Sequence, residues 1–144
     1  MKQKIYLQII NKQKIAGGED DILNSENEGV LYKKRGQYYL VYEDYSEGLE
    51  GARTSIKIDP SEERILLNRN HPAELKQIFK VGETTRGYYR IRSEKMELEI
   101  ETNNIEYHLN EQSGNIKIEY KIYFGGKLAT DNNLEINYTK KGVE

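Results

Sequence analysis

Arg69 is the residue in this sequence with the clearest capacity for chemistry. It closes the run Ile65–Arg69, in which Ile65 and Leu67 read as inward-facing, so period-two spacing turns Arg69 inward too, near a strand end. A guanidinium in that position needs a carboxylate or carbonyl partners, because an unpaired buried charge is very costly. Glu43 shares a face with Tyr39 and Val41 and is the expected partner. Arg69, Glu43, Tyr39 and Tyr42 then form a candidate polar set at the mouth of a barrel, fixing the polar end of a small ligand. The same set leaves open a small-molecule hydrolase or isomerase. The competing reading is structural: an ion pair closing one barrel end, or an arginine that reaches solvent.

A second constellation is Arg86, Tyr88, Arg90 and Arg92, which alternate along one run, with Lys33, Lys34 and Arg35 elsewhere in the chain. Basic residues interleaved with an aromatic can hold single-stranded nucleic acid through backbone attraction and base stacking, so an interaction domain for protein or RNA is the alternative function. Against it stands the acidic ladder Glu97, Glu99 and Glu101 on the next run, which pairing would set opposite the arginines.

The remaining candidates do not form catalytic patterns. His71 and His108 lie in different elements, without the spacing of a zinc site, and read as solvated surface residues. Ser46, Ser55, Ser61, Ser93 and Ser113 fall in turns or on polar faces, and no nucleophile elbow surrounds them. Gly17-Gly18 is not followed by a lysine-serine pair, so it is no phosphate loop, and Asp20-Asp21 sits in polar, flexible surroundings unlike those of a general acid. No metal and no cofactor is implied. The expectation is a non-enzymatic module holding a small, largely apolar ligand in a barrel interior or mouth.

The elements that must position these residues are strands. Met96, Leu98, Ile100 and Thr102 alternate with Lys95, Glu97, Glu99 and Glu101; Ile116, Ile118, Tyr120, Ile122 and Phe124 alternate with Lys117, Glu119, Lys121 and Tyr123. Helical geometry would scatter both sets around a cylinder. Weaker alternation covers Lys4–Asn11, Gly29–Lys34, Gln37–Tyr45, Arg53–Ile58, Ile65–Arg69, Leu75–Phe79, Arg86–Ile91, Ile105–Leu109 and Leu134–Tyr138. Arg35-Gly36, Asp59-Pro60-Ser61-Glu62, Asn103-Asn104, Gln112-Ser113-Gly114 and Gly125-Gly126 supply the turns. Residues 16–28 read as a flexible or irregular loop, and His71–Lys80 fits either a short helix or a strand. Short strands at about ten-residue spacing describe a meander, and closure removes the unpaired edges that invite aggregation. The expected fold is therefore all-β: one antiparallel closed barrel of eight to ten strands spanning residues 1–144, in preference to a two-sheet sandwich.

Composition agrees. The 22 basic and 24 acidic residues nearly cancel, so no global field draws in nucleic acid or an anionic membrane. Cysteine is absent, which removes disulfides and thiolate chemistry, and twelve tyrosines suit half-buried pleated surfaces. The opening Met1-Lys2-Gln3-Lys4-Ile5-Tyr6 alternates where a signal peptide would be continuously apolar, so a cytoplasmic monomer or homodimer is expected.

Several segments together resemble the DUF1934 family, small bacterial proteins with a calycin-like (lipocalin-related) β-barrel. They are Glu28-Gly29-Val30-Leu31-Tyr32, Gln37–Asp44, Gly48-Leu49-Glu50-Gly51, Thr54–Ile58, Leu67-Asn68-Arg69, Gly114–Tyr120 and Asn133-Leu134-Glu135-Ile136. The resemblance implies a barrel and a cytosolic setting. It brings no catalytic residues, because the family has no established activity. Ahead of the strand holding Met96 the family has a Thr-Pro-Tyr-Gly-like turn, where this chain has Arg92-Ser93-Glu94-Lys95, so no role for that turn carries over.

Overall fold

Strands with one apolar face each must bury that face together, and here they do so by closing on themselves. The structure is a computed structural model that describes residues 2–46 and 48–142. Its ten strands are β1 (Lys2–Ile15), β2 (Asp20–Lys34), β3 (Gln37–Asp44), β4 (Ala52–Asp59), β5 (Arg64–Arg69), β6 (Ala73–Lys80), β7 (Thr84–Ile91), β8 (Glu94–Leu109), β9 (Ser113–Phe124) and β10 (Lys127–Lys140). Each pairs antiparallel with the next, and β10 returns to β1, with Ile5 opposite Lys140 and Ile15 opposite Thr130. The result is a closed antiparallel meander, as expected.

Side chains at every second position fill the interior. Leu98, Ile100 and Thr102 are buried while Glu97, Glu99 and Glu101 face outward; Met96, expected to join the buried row, is exposed, because it lies near the start of β8 beyond the core. Ile5, Leu7, Leu40, Ile56, Ile58, Ile65, Phe79, Ile100, Ile116, Ile118 and Ile136 are among the fully buried residues. Each contributes roughly 1.5–3 kcal/mol of burial free energy, which makes this packing the main source of stability. Phe79 packs tilted against Tyr120 within that core, ring centroids 4.7 Å apart.

Three local expectations need correction. Residues 16–28 are not an irregular loop: β1 and β2 form one long hairpin paired as far as Lys14 opposite Asp20, with only the stretch around Ala16–Gly18 turning. Most of β2 before Gly29 is exposed, so neither face carried the apolar alternation that would have marked it as strand. Asn103-Asn104 does not reverse the chain either. β8 runs through it, and the register slips between Thr102, opposite Tyr120, and Asn104, opposite Glu119; a bulge absorbs the extra residue. Finally, the reversal expected at Gln112-Ser113-Gly114 centres on Asn110–Gln112, where the Asn110 Oδ1 accepts from the Gln112 and Ser113 amides at 2.8 and 3.0 Å. Gly114 lies within β9, and the Tyr138 ring covers it so closely that a Cβ there would sit 2.1 Å from the ring.

The strand lengths are unequal, and that matters for function. β2 pairs with β1 along nearly its whole length but with β3 only from Gly29 opposite Tyr42 to Lys34 opposite Gln37. Before Gly29, β2 has a ladder on one edge alone among the described residues.

Candidate binding groove

β3 stops where its chain is drawn into a compact turn. The Asp44 carboxylate accepts from the Ser46 amide at 2.9 Å, and the Gly51 amide donates to the Asp44 carbonyl at 2.8 Å. The Tyr45 ring folds over Gly51, where a Cβ would lie 2.7 Å from it. β2 meanwhile continues past its last β3 partner at Gly29, whose missing side chain permits the contact: a Cβ there would fall 2.6 Å from the Val41 carbonyl oxygen and 2.8 Å from Leu7 Cδ1. Beyond this pivot the two strands separate.

The gap widens into a groove of about 1020 Å³ on the flank of the barrel, running across the ends of β10, β1, β2 and β3. By register Tyr6, Val30, Val41 and Tyr45 form its outer, aromatic and aliphatic wall, and where β2 and β3 part it also reaches the inward-facing Leu7, Tyr42 and Tyr138. Its charged rim holds Lys4, Arg53 and Lys141 against Glu26, Glu28 and Glu43. Lys141 ion-pairs with Glu28 and lies 5.5 Å from the Tyr6 ring centroid. Accepting the ammonium's hydrogen bond, Glu28 holds Lys141 above the ordinary lysine range. Glu43 accepts a 2.9 Å hydrogen bond from the Tyr45 hydroxyl and raises that phenol's pKa in the same way.

The polar set expected around Arg69 divides between the two sides of the sheet. Arg69 does turn inward: it stands opposite Thr54, which stands opposite Tyr42, so the three share one inner row. Its Nε donates to the Ala73 carbonyl at 2.8 Å and its guanidinium lies 6.0 Å from the Tyr89 ring centroid. Burial pushes the Tyr42 phenol up, Asp44 adds to the shift, and Arg69 opposes it. Glu43, by contrast, faces outward opposite Arg53, and Tyr39 faces outward stacked on Tyr32 at 4.9 Å. Glu43 and Tyr39 therefore do not join Arg69, because a strand sends adjacent residues to opposite faces and Tyr42, not Glu43, takes the inner position. With Arg69 and Glu43 apart, the hydrolase or isomerase built on that pair loses its geometry.

The second constellation meets the acidic ladder only in part, with one arginine opposite a glutamate and no ion pair between the two rows among the described residues. Arg86 stands opposite Glu99 and Tyr88 opposite Glu97, while Arg90 faces Lys95 across the ladder. The Tyr88 ring receives Lys95 at 4.8 Å and Arg90 at 5.9 Å. Arg92 leaves the row: it sits in the turn after β7 with a φ of 59°, because the chain reverses there. A polar hollow of about 310 Å³ lies beside Tyr88, between Arg53, Asn68 and Glu74. His71 is exposed with its Nδ1 3.8 Å from Glu74, and His108 is exposed on β8. Among the described residues no group of three or more His, Asp or Glu is placed to hold a metal ion.

Most groove residues escaped the sequence reading. Lys141 and Tyr6 meet only because β10 closes onto β1, and Arg53 meets Glu43 only through the β3–β4 register. A buried polar knot escaped it as well. Asn132, fully buried, accepts from Gln13 at 3.0 Å and donates to Thr130 at 2.8 Å. Its inward direction was available from parity with Leu134 and Ile136, the one signal that could have found it.

The family described as a domain of unknown function (DUF1934) matches residues 7–136. The chain belongs to that family. The chain is 27% identical over 139 residues to the uncharacterized beta-barrel protein YwiB of Bacillus subtilis (strain 168), covering 96% of each. The crystal structure of the ywiB protein from Bacillus subtilis superimposes with a TM-score of 0.87 at 24% identity, covering 98% of this chain and 94% of that one. That likeness shows that the two chains share the fold.

Proposed function

We propose that this DUF1934 barrel is a non-enzymatic binding module whose ligand lies in the flank groove, not in the barrel interior. One observation carries the reading. The interior positions are occupied by bulky side chains that are almost wholly buried, whereas the groove offers about 1020 Å³ behind a charged rim. That volume matches the upper end of ligand sites, roughly 300–1000 Å³, with apolar walls and a few polar groups that fix orientation. Tyr6, Val30, Val41 and Tyr45 would bury the apolar body of an elongated ligand, and Lys4, Arg53, Glu26 and Glu43 would hold its polar ends. The expected small apolar ligand thus becomes an amphipathic one, bound on the outside.

The test is amide chemical-shift mapping with anilinonaphthalene sulfonate, an amphipathic probe with an apolar ring system. Shifts centred on Tyr6, Val30, Val41 and Tyr45 support the reading, and Val41→Glu should abolish them. Shifts centred on interior residues remote from the groove, such as Phe79, Ile100 and Ile116, or none at millimolar probe, would overturn it.

A further inference from the structure

We propose that the free edge of β2, from Asp20 to Glu28, is a strand-addition site for a basic, extended segment of another protein. The proposal rests on the groove as the binding site and names the partner and the manner of its docking.

The direction of the backbone groups follows from the β2–β3 hairpin. Its turn is the two-residue pair Arg35-Gly36, with φ values of 53° and 78°, so Lys34 and Gln37 close it as a hydrogen-bonded pair. Lys34 then points its N–H and C=O toward β3, and so do the even-numbered residues before it. The β1–β2 register is unbroken from Tyr32 to Asp20, so Asp20, Ile22, Asn24, Glu26 and Glu28 aim theirs away from β1. On that side β3 has already turned off at Asp44, and its lane is vacant among the described residues. The Ile22 amide fits this geometry: lacking a strand partner, it donates to its neighbour's Asp21 Oδ1 at 2.9 Å.

Edges of this kind are normally blunted by lysine, proline or a covering element. Here none of these occurs on the strand: there is no proline between Asp20 and Glu28 and no basic residue between Lys14 and Lys33. The edge instead presents Ile22 and Leu23, 63% and 52% exposed, set among Asp20, Asp21, Glu26 and Glu28. A second copy of the chain does not suit it. Antiparallel self-pairing about Asn24 would set Ile22 against Glu26 and Asp20 against the already paired Glu28, so the exposed aliphatic and the free acids gain no complementary partner. A strand that alternates lysine or arginine with β-branched residues satisfies the free amides and carbonyls, neutralises the acids and covers the exposed aliphatics. Occupying the lane that β3 vacates, it would run directly into the groove at Glu26 and Glu28.

The test uses fluorescently labelled peptides of about nine residues, within the usual range of strand length, one alternating lysine with valine and one alternating glutamate with valine. The lysine peptide should bind at low salt and shift the Asp20–Glu28 amides; the glutamate peptide should not bind. Asn24→Pro removes one outward amide without touching the β1 ladder, and should weaken binding at least about tenfold while the melting temperature holds. If that variant fails to fold, Asp20→Lys combined with Asp21→Lys, both outside the groove, should remove the preference for the lysine peptide. An Asn24→Pro barrel that binds the lysine peptide undiminished, or a charge-reversed pair with unchanged preference, overturns strand addition. Neither result touches the groove, which is judged separately by the anilinonaphthalene sulfonate shifts.

Discussion

Inside the barrel the Arg69 side chain donates through Nε to the Ala73 carbonyl at 2.8 Å, across the short connection between β5 and β6. The guanidinium thus ties two strand ends together and covers the Tyr89 ring. This arrangement is that of a clamp, and it contains none of the carboxylate chemistry that its position in the sequence suggested.

Arg69→Ala should accordingly lower stability by about 2 kcal/mol, the usual cost of losing a charged hydrogen-bond donor, and leave the groove shifts intact. Glu43→Gln, on the other face, should change stability by less than about 0.5 kcal/mol, as surface substitutions generally do. Urea unfolding of both single variants and the double variant measures the coupling. Residues without a shared partner add within about 0.5 kcal/mol; a coupling well above that would mean that Arg69 and Glu43 do interact.

Parity along a strand was legible wherever one face was strongly apolar. Leu98, Ile100 and Thr102, and Ile116, Ile118 and Tyr120, went inward as their alternation required, and Arg69 followed Ile65 and Leu67. What stayed hidden was anything fixed by register between strands or by closure. Glu43 was matched to Arg69 by charge, yet a one-residue difference in parity puts it outside the barrel. β2 before Gly29 was unreadable because a strand held by its backbone ladder needs no apolar face to declare it. The groove depends on that hidden half-strand, so the candidate site was far less visible in the sequence than the fold.

Tyr138 and Gly114 form one packing unit. The ring lies over the glycine, and the hydroxyl donates to the Asn110 carbonyl at 2.7 Å, pinning the β8–β9 turn. Gly114→Ala has to displace the ring, and should cost about 2–3 kcal/mol, as overpacking plus a lost hydrogen bond does. Tyr138→Phe removes the hydroxyl alone and should cost about 1 kcal/mol. Denaturant titration distinguishes the two, and equal losses would show that the ring is free to move off the glycine.

High pH should unfold this barrel. Burial pushes the Tyr138 phenol up to about 12, Tyr38 adds to the rise, and the phenols of buried Tyr42 and Tyr120 are raised as well, chiefly by burial. In the unfolded chain these phenols ionise near pH 10. A raised pKa means that the fold prefers the protonated phenol, so the unfolded state releases protons first and stability falls as pH climbs. The stabilisation is complete below about pH 10 and drains away between there and the folded-state value, by about 1.4 kcal/mol per pH unit for each such tyrosine. Urea midpoints measured by circular dichroism should therefore be level from neutral pH to about pH 9 and then drop steeply. Tyr138→Phe should lessen the slope, since it deletes one titrating group. A midpoint that stays level through pH 11 would mean that these hydroxyls are not shielded by the core.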